Sequence, residues 1–208
     1  MKDFSQSGEQ KIILDYFGDF RGTVLDIGAN DGITLSNSRA LVELGWRAVL
    51  VEPAAEAYRK LVLNNANAVF SDRVQTVQAA ISSTDGPLDF YSSGTHLKKG
   101  DTDLLSTTQE AELARWKKSG EVFTKTTVRG ITFATLLKET GLKEAHFVSI
   151  DCEGVDLLVL RQIDLTALGT RMVCVEVNRN DQRPFDEYCE GHGMRLLHRN
   201  WENAIYCR

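Results

Sequence analysis

A chain of 208 residues fits one domain, or one domain carrying a lid. Its 42% hydrophobic and 25% charged content is that of a globular protein and excludes a disordered or fibrous chain. A formal charge of −5 argues against a nucleic-acid backbone as main partner, and apolar runs such as Ala48–Val51 and Met172–Val175 are too short to cross a bilayer. The opening "MKDFSQSGEQKII" has no apolar core followed by a small-residue cleavage site, so the expectation is a cytoplasmic protein with no membrane partner. Cys152, Cys174, Cys189 and Cys207 form no C-x-x-C and no zinc-finger spacing, which points to reduced, buried cysteines.

In chain order, "TVLDIG" reads as a strand and "LSNSRALVELG" as a helix ending at Gly45. "RAVLVEP" is a second strand stopped by Pro53, and "AAEAYRKLVLNNA" a second helix. "VQTVQAAIS" reads as a third strand, and "PLDFYSS", after the turn "STDG", as an extra strand or hairpin arm. From residue 92 to 129 the chain is polar and breaks the rhythm. Within it Thr107 and Glu110 have capping-box spacing ahead of "AELARW". A long excursion of this kind predicts a lid over a crevice. "FVSIDCEG" is then a strand ending in acids and a glycine, and "VDLLVLRQID" a helix. "RMVCVEVN" is a continuous apolar strand of the kind covered on both faces. "RPFDEYCEGHG" is a helix, and "MRLLHRN" with "NAIYCR" an antiparallel closing pair. The sum is an α/β fold: a doubly wound, mostly parallel sheet with helices on both faces, in one domain over 1–208. Ligands of such sheets gather at the carboxyl ends of the strands, near the switch point.

The most informative stretch is "VLDIGANDGITLSN", Val24 to Asn37. It does not fit the dinucleotide fingerprint G-x-G-x-x-G, because Asn30 and Ile33 stand where the second and third glycines belong. No Gly-Lys-Ser/Thr of a P-loop is present either. A carboxylate at Asp26 would repel a phosphate but suits a cationic amino group. S-adenosyl-L-methionine has such an ammonium, together with a carboxylate, a sulfonium and a ribose. Asp26 could meet the ammonium, Gly28 lets backbone approach the ligand, and Glu52 sits where an acid accepts ribose hydroxyls. An acid there is shared with NAD sites, so a nicotinamide-dependent oxidoreductase is the rival enzyme reading, and a non-catalytic binding domain the rival from another class.

These motifs carry a resemblance. "FSQSGEQ", "LDIGANDGITLSNS", "GWRAVLVEP", "AAISSTDGPLDFY", "SIDCEGVDLLVL" and "VCVEVN" run in order through nearly the whole chain and resemble the FkbM family of S-adenosylmethionine-dependent methyltransferases. The resemblance implies a class I methyltransferase fold, a seven-stranded sheet with one antiparallel edge. It also implies methylation of an oxygen on a sugar or small natural product, and so a small-molecule or glycan acceptor. It places Gly28, Asn30 and Gly32 in the donor loop with Ser36 beyond, Glu52 and Pro53 at the ribose, Ala80 beside the adenine, and Gln6 of the 1–22 segment folded back near the donor. The sequence sets no oligomeric state; a homodimer is compatible with it.

An alcohol acceptor must lose a proton to a base or to a metal-activated site. Asp151 and Glu153 end the "FVSIDCEG" strand, and neighbouring acids in a cleft raise one another's pKa, which suits a general base. The plainer reading has one of them capping the following helix. Asp151, Glu176 and Asn178 together make an oxygen-ligand set of the type Mg²⁺ accepts. His96, in the lid, is a second candidate base. Trp116 could stack on an acceptor ring, and the pairs Lys98–Lys99 and Lys117–Lys118 make the lid locally basic.

Overall fold

The protein is described by a computed structural model covering residues 2–66, 73–95, 102–116, 120–177 and 181–208. Strands β1 (Thr23–Ile27), β2 (Arg47–Val51), β3 (Val74–Val77), β7 (Phe147–Ile150), β8 (Met172–Glu176), β9 (Arg195–Arg199) and β10 (Asn203–Cys207) form a seven-stranded sheet in the order β3-β2-β1-β7-β8-β10-β9. The first five strands in this order are parallel; β10 is antiparallel to both β8 and β9. The reversed strand therefore lies one place in from the edge. The chain leaves β1 toward β2 and β3, then returns to β7 on the other flank, so β1 marks the topological switch.

Parity along the strands separates two cores. Leu25, Ile27, Val49, Val51, Val148, Ile150, Val173 and Val175 point to one face, beneath α5 (Phe133–Thr140), α6 (Asp156–Leu160) and α7 (Arg183–Gly191). Val24, Ala48, Leu50, Phe147, Met172 and Cys174 point to the other. There they meet Ile13 and Phe17 of α1 (Glu9–Phe17), Leu41 and Val42 of α2 (Arg39–Glu43), and Leu61 of α3 (Ala55–Asn65). Burial on both faces is why these strands read as unbroken apolar runs. The same period of two carries Asp26, Ser149 and Glu176 onto the second face at the strand ends, with Asp26 paired to Ser149 in register.

Local chemistry moves several expected elements. The helix after β1 begins only at Arg39. The Asp31 carboxylate accepts from the N–H groups of Ile33 (2.8 Å) and Thr34 (2.7 Å), and Ser36 Oγ accepts from Arg39 N (3.0 Å). Side-chain oxygens thus replace helical bonds through the loop. The expected strand 74–82 divides: β3 stays in the large sheet, while β4 (Ala80–Ile81) joins a second sheet in the order β4-β6-β5. That sheet contains β5 (Gly86–Ser92) and an unforeseen strand, β6 (Thr124–Ile131), drawn partly from the polar stretch read as a lid. Its pairing is antiparallel from Gly86–Gly130 to Ser92–Thr124.

Helix α5, absent from the expected elements, nevertheless carries local signals: Thr132 accepts from Thr135 N at 3.2 Å, and Gly141 closes the helix at φ +66°. The expected capping box fails. Thr107 Oγ1 donates to Glu153 O (2.7 Å) and accepts from Gln109 N (2.9 Å), so it ties the polar stretch to the loop after β7. A short 3₁₀ turn, Glu110–Glu112, then leads into α4 (Leu113–Trp116). Among the described residues no helix is long and apolar enough to cross a membrane.

Candidate active site

A cavity of about 470 Å³ opens at the carboxyl ends of β1, β2, β7 and β8, a size typical of small-ligand sites. Its wall includes Gln6, Asp26, Gly28, Asn30, Ser36, Glu52, Pro53, Ala80, Asp151, Glu153 and Glu176, which lie far apart in the chain. Gly32 is not on it. An added Cβ at Gly32 would stand 2.6 Å from Leu61 Cδ1, and with φ at +73° the residue serves packing of the loop on α3. His96 and Asn178 lie outside the described residues, as do Lys98, Lys99, Lys117 and Lys118.

Gly28 carries a constraint of its own besides its place on the cavity wall. It has φ +89°, and a Cβ there would fall 1.7 Å from the carbonyl oxygen of Asp151. The glycine is required first by the close approach of the β1 and β7 ends, and only second by any ligand. Asn30 has φ +48°, a left-handed conformation that asparagine tolerates. Its N–H donates to Glu52 Oε2 (2.9 Å) and its Nδ2 to Thr102 O (2.8 Å). The residue that breaks the dinucleotide fingerprint is therefore the one that latches the loop to Glu52.

Glu52 also accepts from Ala54 N at 2.7 Å, one backbone donor on each carboxylate oxygen. Burial nevertheless pushes its pKa up to about 8. Burial likewise lifts Asp26 to about 6, against the hydroxyls of Ser38 and Ser149 that hold it down; Ser38 Oγ donates to it at 2.5 Å. Asp151 is raised to about 7 by removal from water, then by Asp156, Asp26 and Glu202, with Arg115 opposing. Glu153 and Glu176 are both held well above the ordinary carboxylate range, by burial first and by Asp151 second. A cavity whose acids resist ionisation is one that a cationic ligand relieves.

The cap of α6 is neither Asp151 nor Glu153. Asp156 accepts from Cys152 N (2.7 Å) and Gly154 N (3.1 Å), which leaves both upstream acids on the cavity wall. Glu153 has φ +49°, and its Oε2 lies 3.8 Å from Arg115 Nη1. Carboxylate oxygens of Asp151, Glu153 and Glu176 lie within 4.8 Å of one another, so these three could hold a divalent cation; the expected Asn178 lies outside the described residues. Burial raises the Cys152 thiol, which makes it a poor nucleophile, and the four cysteines are free. His146 Nδ1 accepts from Thr23 N (3.1 Å) and its ring meets Phe20 edge-on, a packing role.

Asn37, Asp103, Leu105, Arg115, Trp201 and Glu202 also line the wall, and none of them is expected there from the sequence. Trp201 and Glu202 are readable only as the turn between the closing strands, and nothing local aims that turn at β7. Trp116, expected as a stacking or core residue, is half-buried on the wall, with the Arg115 guanidinium 4.7 Å from its ring centroid.

Comparison with known proteins adds the class of chemistry. A search among curated proteins found no significant match. An FkbM methyltransferase from Methylobacillus flagellatus KT shares the fold at TM-score 0.58 and 11% identity, over 91% of this chain. This chain spans only 44% of that longer protein. A candidate RNA methyltransferase from Pyrococcus horikoshii matches at TM-score 0.51 and 14% identity, over 97% of this chain and 83% of its own. The N-terminal domain of human METTL16, solved with S-adenosylhomocysteine, matches at TM-score 0.51 and 12% identity, over 94% and 66%. Likeness at these identities shows the fold alone. The methyltransferase FkbM domain pattern matches residues 26–200, most of the chain and every strand end that builds the cavity after β1. The chain belongs to the FkbM methyltransferase family.

Proposed function

We propose that this domain binds S-adenosylmethionine in the cavity and methylates a hydroxyl of a small-molecule or glycan acceptor. The observation that carries the reading is the gathering of Asp26, Glu52 and Asp151 on one cavity wall at the switch point of the sheet. Asp26 receives the ammonium. Glu52, each oxygen already aligned by one backbone N–H, receives the ribose hydroxyls with its remaining lone pairs. Ala80 borders the adenine, Ser36 and Pro53 shape the walls, and Gln6 brings the 1–22 segment against the donor. From the stretch read as a lid, Arg115 and Trp116 of α4 close the wall over the acceptor. When bound, the donor supplies a methyl group on a cationic sulfur.

Asp151 takes the acceptor's proton. Its pKa of about 7 lies near the working pH, where a base is most effective. Glu153 supports Asp151 through its own field. Asp151, Glu153 and Glu176 are the residues that would hold Mg²⁺. The acceptor side carries Glu153, Glu176 and Glu202 beside Asp151, with Arg115 among them. Burial holds Asp151, Glu153 and Glu176 toward their neutral forms, which suits a neutral or cationic small acceptor.

Calorimetry with S-adenosylmethionine and with NAD tests the donor, with binding of the first and not the second expected. An acceptor screen read by S-adenosylhomocysteine release, with and without chelator and added Mg²⁺, tests the rest. Turnover with RNA alone would replace the acceptor class. Tight donor binding with no turnover on any acceptor would favour a non-catalytic domain.

A further inference from the structure

We propose that Trp201 is the platform on which the acceptor's ring stacks, and that Glu9 is the positioning residue that holds it there; the inference deepens the methyl-transfer reading and rests on it. Trp201 lies in the turn between β9 and β10, on the cavity wall, and is 71% exposed. It is the one exposed Phe, Tyr or Trp among the described residues. A single exposed apolar side chain is ordinary. What sets this one apart is its place and its support. Val177 N donates to Glu202 O at 2.8 Å, which fixes the turn against the end of β8, next to Glu176. Glu202 adds to the field that raises Asp151, and Glu176 comes within 4.8 Å of Asp151. The turn that carries Trp201 therefore belongs to the acceptor side of the cavity.

The turn is held more firmly than a hairpin tip requires. Asn200 N donates to Asn203 O (3.0 Å), and Asn200 Oδ1 accepts from the N–H groups of Glu202 (3.0 Å) and Asn203 (2.6 Å). The Nδ2 groups of Asn200 and Asn203 both donate to Glu9 Oε1, at 2.5 and 2.8 Å. Glu9 Oε2 accepts from Ser7 N at 2.8 Å. Glu9 is fully buried on α1, 191 positions from Asn200. Burial acts to raise its pKa, but the Asn203 amide and the backbone N–H groups bring it below the ordinary value, so it holds the turn as a carboxylate. A buried charge is tolerated only when its hydrogen bonds are met, and meeting these fixes the backbone on both sides of one exposed indole.

The indole offers a flat apolar face of negative potential. A ring with an apolar face and hydroxyls at its rim complements it: the face lies on the indole, and the rim hydroxyls donate to Glu176 and Glu202. A sugar ring and a phenol share this chemistry. An acyclic polyol has the hydroxyls without the face.

The test uses methyl glycosides of common hexoses, catechol and acyclic sorbitol as acceptors, read by S-adenosylhomocysteine release. Turnover of the glycosides alone identifies a sugar ring and of catechol alone an aromatic one, and either supports the platform. Turnover of no ring, or of sorbitol as well as the rings, overturns it. On the ring that is turned over, Trp201→Ala should raise KM about tenfold or more, with kcat within about threefold and S-adenosylmethionine affinity by calorimetry within about twofold. Trp201→Phe should bring KM back to within about threefold of the wild type. Glu9→Gln sets an amide N–H2 against the Ser7 N–H, and should raise KM about threefold in the wild-type background and not at all beside Trp201→Ala. An unchanged KM in Trp201→Ala overturns the platform, and a Glu9→Gln effect that persists without the indole overturns the positioning role. Wild-type protein that does not bind S-adenosylmethionine removes the methyl-transfer reading itself; donor binding with a KM blind to Trp201 removes the platform alone.

Discussion

On the β1–β2 side of the cavity, Glu52 accepts two backbone N–H groups and Asp26 a serine hydroxyl, whereas on the β7–β8 side Glu153 Oε2 has no hydrogen-bond partner among the described residues and meets Arg115 only at 3.8 Å. The first side is built by bonds within Asp26–Ser38 and Glu52–Ala54 and by the Asn30 N–H to Glu52 that joins the two segments. Its shape is set before any ligand arrives, as a shared donor requires. The second side gathers Asp151, Glu153, Glu176 and Glu202 from two strand ends and a distant turn, and balances them against a residue of α4. Its acids are raised chiefly by burial and by one another, so their ionisation answers to whatever enters. Burial raises acids on both sides, and what divides the halves is the preorganised hydrogen bonding of Glu52 and Asp26.

The largest effect should come where the two sides touch. Gly28→Ala forces a Cβ against the Asp151 carbonyl oxygen at a position with φ +89°. A loss of more than about 3 kcal/mol is expected, read as a lowered urea midpoint. An unchanged midpoint would show that the β1 and β7 ends are not so closely joined.

Asp151→Asn separates the halves. Methyl transfer should fall about a hundredfold or more, while donor affinity measured by calorimetry stays within about threefold. Equal loss of both would erase the division of labour. The same variant has a stability signature. The Asp151 carboxyl is raised to about 7 in the folded chain, so the folded state binds its proton more tightly than the unfolded state. The stability this contributes is fully present below the unfolded value of about 4 and is lost as pH rises through about 7. An amide in place of the carboxyl cannot titrate, so the melting temperature of the variant should fall less steeply over that window.

The smallest effect is expected from Arg115→Ala. Arg115 is partly exposed and holds the carboxyls of Asp151, Glu153 and Glu176 down. Without it the base ionises at higher pH. The rate at pH 7 should drop about two- to fivefold with the high-pH plateau kept, and added salt should narrow the difference. A profile that does not move would mean that Arg115 does not tune the base.

What can be read in advance follows the same division. "LDIGANDG" and "VEP" announce a strand, a glycine turn and a strand-end acid, because each depends on neighbours in the chain, as where Asp31 caps its own loop; the bond from Asn30 N to Glu52, 22 positions on, is not legible there. Asp151 and Glu153 are readable as strand-end acids, but that neither caps α6, while Asp156 accepts from the N–H groups of Cys152 and Gly154 in the loop before the helix, depends on three-dimensional turn geometry. Gly28 is legible as essential while the reason is not, since its constraint lies in a carbonyl 123 positions along the chain, from Gly28 to Asp151. Strand β6 is hidden because its outer positions are exposed and polar, so period-two alternation is faint; only pairing with β5 reveals it.

By itself the sequence determined the alternation of strands and helices, the position of the glycine turn and the acids at the strand ends, since hydrophobic periodicity and local backbone chemistry act over a few residues. Tertiary structure alone decided which distant groups share the cavity: Arg115 beside Glu153, and Glu202 within reach of Asp151. The physical reason is that desolvation and Coulomb fields depend on distance through space, and the separation of two residues along the chain does not report it.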